Sequence, residues 1–192
     1  MPTALVFIAN GTEEMEFTIA YDVLVRGGVS CTSALVRGST AARGEFPWAV
    51  CSRGVRIVAD KDFEDVDLTE LFDLIVVPGG AKGAETISHD ARMQMVLRRH
   101  YERGKLIGMI CAGSLAAKMA KLALKSRLTS HPSVKADLEL DYEYSENSVV
   151  HSENLITSRG PGTAFPFALS LVEALQGHKK REEVYGPMMF PS

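Results

Sequence analysis

The chain has 192 residues, 46% hydrophobic and 23% charged, with a formal net charge of −3. That mass suits one domain spanning 1–192 with a sizeable core, and the charge argues against a general nucleic-acid surface. No apolar run approaches the roughly 18 residues of a membrane span, and three widely spaced cysteines disfavour a disulfide framework or a zinc site and suit a reducing, cytoplasmic compartment.

Thr3 to Ala9 is a continuous apolar run, as in a central parallel strand. Asn10-Gly11-Thr12 is turn chemistry, and Glu13, Glu14 and Glu16 follow at a helix start, where negative charge suits the dipole. Met15, Ile19, Val23 and Arg26 fall near one helical face, and Gly27-Gly28 stop the helix. Cys31 to Val36 is a second strand, so the chain opens β-α-β. Residues 37–54 are less regular, with Phe46-Pro47-Trp48 as an exposed aromatic insert and Cys51 in a loop. A short strand at Val55 to Ala59 and an acidic surface connection at Asp60 to Glu70 come next. Leu74 to Val77 is another buried strand, ending in Pro78-Gly79-Gly80, where two glycines leave backbone N–H groups open to a ligand.

Arg92 to Arg103 reads as a basic amphipathic helix, and Leu106 to Ile110 as a buried strand. Cys111 follows at once, on a sharp turn into the helix-prone Ala112 to Met119. A cysteine there lies near unpaired helix-start N–H groups, which would lower its pKa; the bland alternative is a small buried hydrophobe. Short strands are expected at Leu128-Thr129, Tyr142 to Tyr144, Val149-Val150 and Leu155 to Thr157. Thr163 can cap a helix from Ala164 to Leu175. Alternating buried strands and helices predict a doubly wound α/β sandwich, in which ligands bind at the carboxyl ends of the strands. The Glu13–Glu16 segment, Gly79-Gly80 and Cys111 all fall at such ends.

Cys111 is therefore the candidate nucleophile. Glu16, one turn into the first helix, is either a solvated glutamate, the default for Glu13 and Glu14, or a desolvated carboxyl facing the cysteine and tending to stay protonated. His131 precedes Pro132, which biases it away from helix, and lies in a loop on the same sheet edge; it is the candidate base. His89, His100, His151 and His178 read as surface histidines and Cys31 as core. No GxGxxG follows the first strand, so there is no dinucleotide fingerprint.

Together, ALVFIANGTEEMEF at 4–17, VVPGGAKGA at 76–84, GMICAGSLAAK at 108–118, SHPSVK at 130–135 and TSRGPGTAFPFAL at 157–169 resemble the ThiJ/PfpI superfamily, and most closely its parkinsonism-associated deglycase branch. The resemblance implies a flavodoxin-like sandwich with a mainly parallel sheet, and a homodimer. It implies Cys111 as the elbow cysteine, Glu16 as its buried hydrogen-bond partner and His131 as the nearby histidine. Gly79, Gly80 and Ala112 would supply N–H groups to an oxyanion-type pocket, and Arg26 and Arg53 match arginines near the dimer contact that approach the site. It further implies a glyoxalase or deglycase acting on a small 2-oxoaldehyde or a glycated protein, with no metal, cofactor, nucleic acid or membrane. The alternative is a redox sensor or chaperone whose cysteine oxidises to a sulfinate. A protease ranks last, because Ala112 stands where that chemistry needs a histidine. Two departures stand out. Ser114 replaces a proline common among animal members, which would loosen the elbow, and the 37–50 segment is longer than usual, next to the expected dimer contact.

Overall fold

The computed structural model describes residues 1–38 and 47–191. One seven-stranded sheet organises them. It comprises β1 (Thr3–Ile8), β2 (Ser30–Leu35), β5 (Lys61–Asp62), β6 (Leu74–Val77), β7 (Leu106–Ile110), β10 (Val149–Ser152) and β11 (Leu155–Ser158). Their spatial order is β10-β11-β7-β6-β1-β2-β5, and every neighbouring pair is parallel except β10 with β11. The chain winds outward from β1 in both directions, which leaves the C-terminal ends of β1, β6 and β7 side by side at one edge.

Helices cover both faces. The long helix α1 (Glu14–Arg26) packs beside α6 (Ala164–Gln176), with α7 (His178–Tyr185) against the latter. On the other face lie α2 (Ala81–His89), α3 (Ala91–Glu102) and the short α4 (Leu115–Met119). β1, β6 and β7 lie between the two layers, which explains their unbroken apolar runs: Leu5, Phe7, Ile75, Ile107 and Met109 are all fully buried. A buried side chain of that size contributes about 2 kcal/mol of transfer free energy. Gly108 lets α6 sit closely on β7, since a Cβ there would come within 2.8 Å of Leu171 and 3.0 Å of Phe167.

Outside the sheet, β3 (Trp48–Val50) and β4 (Arg56–Val58) form an antiparallel hairpin, and β8 (Arg127–Leu128) pairs with β9 (Glu143–Tyr144). Trp48 thus belongs to a strand rather than to an exposed insert, while Phe46 lies outside the described residues. The helix α2 was not predicted. Its buried face is Gly83, Ala84, Ile87 and Ser88, mostly small residues that leave no apolar periodicity. On α1 the buried face is Glu16, Phe17, Ala20, Val23 and Leu24, so the predicted stripe is displaced, and Met15 is 52% exposed. His100 is likewise not a surface residue: it is 1% exposed, with Nδ1 donating to Val96 O and Nε2 accepting from Phe72 N–H. Burial holds its pKa below the usual imidazole value. Among the described residues, no helix is long and apolar enough to cross a membrane.

Candidate active site

The site is built where β7 meets the next turn. Ile110 is extended, and Cys111 then takes φ 62°, a left-handed conformation that a side chain adopts only when its surroundings enforce it. The chain leaves the sheet through a 3₁₀ turn, Cys111–Ser114, and enters α4. The elbow thus presents a thiol that is 8% exposed. It is pinned from behind by Ser114, whose buried hydroxyl donates to Thr129 O at 2.9 Å. Ser114 therefore does not merely loosen the elbow where a proline is absent; it ties the turn to the segment that leads into His131.

The loop between β1 and α1 supplies the partner. Thr12 closes it, with Ala9 N–H donating to Thr12 Oγ1 and Thr12 N–H to Ala9 O. Glu13 caps α1 by accepting from Glu16 N–H at 2.8 Å, and its own N–H donates to Gly79 O. These bonds dock the first turn of α1 onto the end of β6, and Glu16 is consequently 0% exposed. Its Oε2 accepts from Gly79 N–H at 2.8 Å, while Oε1 has no hydrogen-bond partner. Burial pushes the Glu16 carboxyl up to about 7, against the opposing hydrogen bonds from Gly79 and Cys111. The desolvated alternative for Glu16 is the one realised.

Glu13 and Glu14, expected to be solvated, are buried too. Glu14 accepts from Ser52 Oγ and Arg53 N–H, both at 2.8 Å, which clamps the β3–β4 loop onto the start of α1. Burial raises the Glu14 carboxyl, but hydrogen bonds from its own N–H, Ser52, Arg53 and Val55 together outweigh it and hold the group below its ordinary value. Cys51, read from the sequence as a loop residue, is buried in that clamp. Burial and the nearby Glu14 carboxylate push its thiol up to about 11.

Gly79 and Gly80 are required by contact rather than by turn chemistry alone. A Cβ on Gly79 would lie 2.5 Å from Cys111 Cβ and 2.6 Å from Glu16 Oε2. Gly80 has φ 84°, and a Cβ there would meet Gly11 O at 2.2 Å. Their N–H groups divide: that of Gly79 is taken by Glu16, and those of Gly80 and Ala112 bond to the Cys111 sulfur. Of the three backbone donors expected, two therefore face the reacting atom. They lower the thiol's pKa, as a helix start would, but burial and the Glu16 carboxylate outweigh them and push it up to about 12. The sequence-based expectation of a depressed thiol is reversed in the resting pocket.

His131 is extended, as its position before Pro132 predicts. Its Nδ1 accepts from Ser133 N–H at 3.2 Å and lies 2.8 Å from Ser133 Oγ. With Nδ1 engaged as an acceptor, the neutral ring carries its hydrogen on Nε2 and offers a donor there, not a base. Its Cδ2 edge and Glu16 Oε1 both face Gly160. The ring thus stands at the rim of the pocket, beside Glu16.

The two arginines are not brought to the cysteine within one chain. Arg26 is ten residues beyond Glu16 along α1, roughly 15 Å at the helical rise, and pairs with Asp22 at 2.6 Å. Arg53 lines an adjoining cleft of about 530 Å³ with Asn10, Val50 and Lys82. Gly160, Glu14 and the Ser114–Thr129 bond were not anticipated as parts of the site.

Comparison with known proteins agrees with this architecture. The family model described as the DJ-1/PfpI family matches residues 2–174. Protein dj-1beta of Drosophila melanogaster is 41% identical over 183 residues, covering 95% of this chain and 94% of that protein. The glutathione-independent glyoxalase DJ-1 of Schizosaccharomyces pombe is 36% identical over 197 aligned positions and covers both chains completely. A solved structure of Schizosaccharomyces pombe DJ-1 superposes with a TM-score of 0.90 at 34% identity, over 98% of this chain and 100% of that one. With its elbow cysteine, buried glutamate and flavodoxin-like sandwich, the chain belongs to the DJ-1/PfpI family.

Proposed function

We propose that the protein is a glutathione-independent glyoxalase that converts methylglyoxal-type 2-oxoaldehydes, free or as early protein adducts, to 2-hydroxy acids through Cys111. The observation that carries this reading is the juxtaposition of a buried carboxyl, raised to about 7, with a thiol flanked by the N–H groups of Gly80 and Ala112. The fission-yeast relative, a glutathione-independent glyoxalase, supports it.

The chemistry balances internally. Sγ bonds to the aldehyde carbon C1, and the carbonyl electron pair moves to its oxygen. The Gly80 and Ala112 N–H groups stabilise that oxyanion, an interaction worth about 3 kcal/mol per donor in other enzymes. Glu16 hands its proton to that oxygen and takes up the one that Sγ–H gives up, so the hemithioacetal forms with Glu16 protonated again. The C1 hydrogen and the hydrogen of the C1 hydroxyl then leave as protons while C2 and its oxygen gain one each, so C1 becomes a thioester carbonyl and the C2 ketone a hydroxyl. Water cleaves the S–C1 bond and releases lactate with the free thiol. C1 is oxidised as C2 is reduced, so the sequence calls for no external electron carrier. His131, donating through Nε2, orients an oxygen of the adduct.

The test is lactate release from methylglyoxal by purified protein without glutathione. Wild type is expected to produce it and Cys111→Ala to lose it; an inactive wild type, or an equally active variant, would overturn the reading.

A second reading uses the same geometry. Hydrogen peroxide would oxidise Cys111 to a sulfinate, whose oxygens the Gly80 and Ala112 N–H groups and protonated Glu16 can bond. Mass spectrometry after mild peroxide would then show two added oxygen atoms on Cys111 alone, with negligible lactate formation.

We further propose a homodimer through the hairpin face, where Val50, Val55 and Val58 are exposed. Contributions from Arg26 and Arg53 to the site belong to that dimer.

A further inference from the structure

Three glycines border the pocket, and one has no backbone reason to be glycine. Gly79 and Gly80 would collide with neighbouring atoms if they carried a Cβ. Gly160, by contrast, is extended, with φ 170° and ψ −169°, a conformation open to any residue. Its loop is set by Thr163 instead: Gly160 N–H donates to Thr163 Oγ1, and Gly160 O accepts from Thr163 N–H and Oγ1–H. A Cβ at Gly160 would meet only two atoms within 4 Å among the described residues, His131 Cδ2 at 3.7 Å and Glu16 Oε1 at 4.0 Å. Both are ordinary van der Waals distances, so the fold accepts a side chain there. What a methyl group would fill is the space over the functional carboxyl.

The walls of that space point to its occupant. Glu16 Oε1 is a buried oxygen with no partner, although Oε2 is satisfied by Gly79. An unpaired buried polar atom is costly, and its natural complement is a ligand group. The His131 ring, with Nδ1 held by Ser133, turns its Cδ2 edge, bonded to the Nε2 donor, to the same space. A protonated Glu16 and His131 Nε2–H would present two donors to one small acceptor.

We propose that Gly160 is a specificity-determining residue: the space left by its missing side chain, between His131 and the unpartnered Glu16 Oε1, receives the second oxygen of a 2-oxoaldehyde. This rests on the glyoxalase reading and adds the reason a 2-oxoaldehyde is preferred over a simple aldehyde. The aldehyde oxygen goes to the Gly80 and Ala112 N–H groups, and the ketone oxygen to the Glu16–His131 side. An aldehyde lacking the second oxygen leaves Oε1 unpaired, the asymmetry by which buried polar groups discriminate substrates.

Gly160→Ala is the direct test, with Gly162→Ala in the same loop as its control, since a Cβ at Gly162 meets nothing within 4 Å. Thermal melts and the rate of Cys111 alkylation by iodoacetamide are expected to match wild type in both variants. kcat/KM for methylglyoxal should fall about tenfold or more in Gly160→Ala and stay unchanged in Gly162→Ala. Equal kcat/KM in Gly160→Ala and wild type would overturn the proposal. So would a parallel loss of iodoacetamide reactivity, which would place the effect on the thiol rather than on the subsite.

If wild type makes no lactate, the glyoxalase reading fails by itself. The subsite is then read from protection of Cys111 against iodoacetamide, where methylglyoxal should outperform propanal in wild type but not in Gly160→Ala. Should Gly160→Ala fail to fold, a crystal structure of wild type soaked with methylglyoxal decides. The adduct's second oxygen must lie within hydrogen-bond distance of Glu16 Oε1, and an oxygen turned to the opposite wall would sink the proposal.

Discussion

Glu16 shows how burial converts an ordinary side chain into a proton store. Its carboxyl goes from 4.5 to about 7 because desolvation exceeds the hydrogen bond from Gly79. An acid whose folded pKa is raised holds more protons folded than unfolded, so its contribution is fully present below pH 4.5 and is lost as pH rises through about 7. The difference corresponds to on the order of 3 kcal/mol. Urea denaturation between pH 4.5 and pH 8 should therefore show wild type losing stability relative to Glu16→Gln, whose side chain does not titrate. Parallel stability curves for the two proteins would contradict a proton on Glu16. The same proton is the one the mechanism delivers to the substrate oxyanion, which makes stability and catalysis depend on one group.

At the scale of elements, the site is a junction of loops, each fixed by a bond to another. The β1–α1 loop hangs on Gly79 O, the β3–β4 loop on Glu14, and the elbow on Thr129 O. Thr129 N–H in turn donates to Thr157 Oγ1 on β11, so the elbow, the His131 loop and the next strand form one linked unit. Ser114→Ala would leave the buried Thr129 carbonyl without that donor, at a cost of about 1–2 kcal/mol. Chemical denaturation should register that loss, and Ser114→Thr, which keeps the hydroxyl, should recover most of it. A neutral Ser114→Ala would mean that the elbow is held by packing alone.

For the whole molecule, the sheet order brings the C-terminal ends of β1, β6 and β7 together, and the hairpin extends this edge outward. The solvent face of the hairpin carries Val50, opposite Arg56, and Val58, opposite Trp48, next to the cleft lined by Arg53 and Lys82. An exposed apolar strip adjoining the site fits a second copy of the chain better than bulk water. Val58→Asp is expected to shift sedimentation at micromolar concentration from dimer to monomer while leaving the melt of the single chain little changed. A wild type that sediments as a monomer would remove both the dimer and any part for Arg26 in the site.

The central strands, the glycine pair, the cysteine elbow and the extended His131 could all be read from the amino-acid order. Each is enforced locally: strands buried on both faces must be continuously apolar, and the residue before proline avoids the helical region. The helix α2 escaped because its buried face is made of small residues, not because its propensity is weak. Environment, by contrast, was decided only by tertiary contact. Nothing around Glu13 and Glu14 distinguishes them from solvated helix-start acids until Glu13 caps α1 beside the end of β6 and the hairpin loop seats on Glu14. His100 loses its expected exposure for the same reason, because it meets the backbone of Phe72. The sequence placed a cysteine and a carboxylic acid at one sheet edge. The sign of the thiol's pKa, the division of donors between Gly79 and Gly80, and the space at Gly160 depend on atoms far apart in the chain, and folding alone set them.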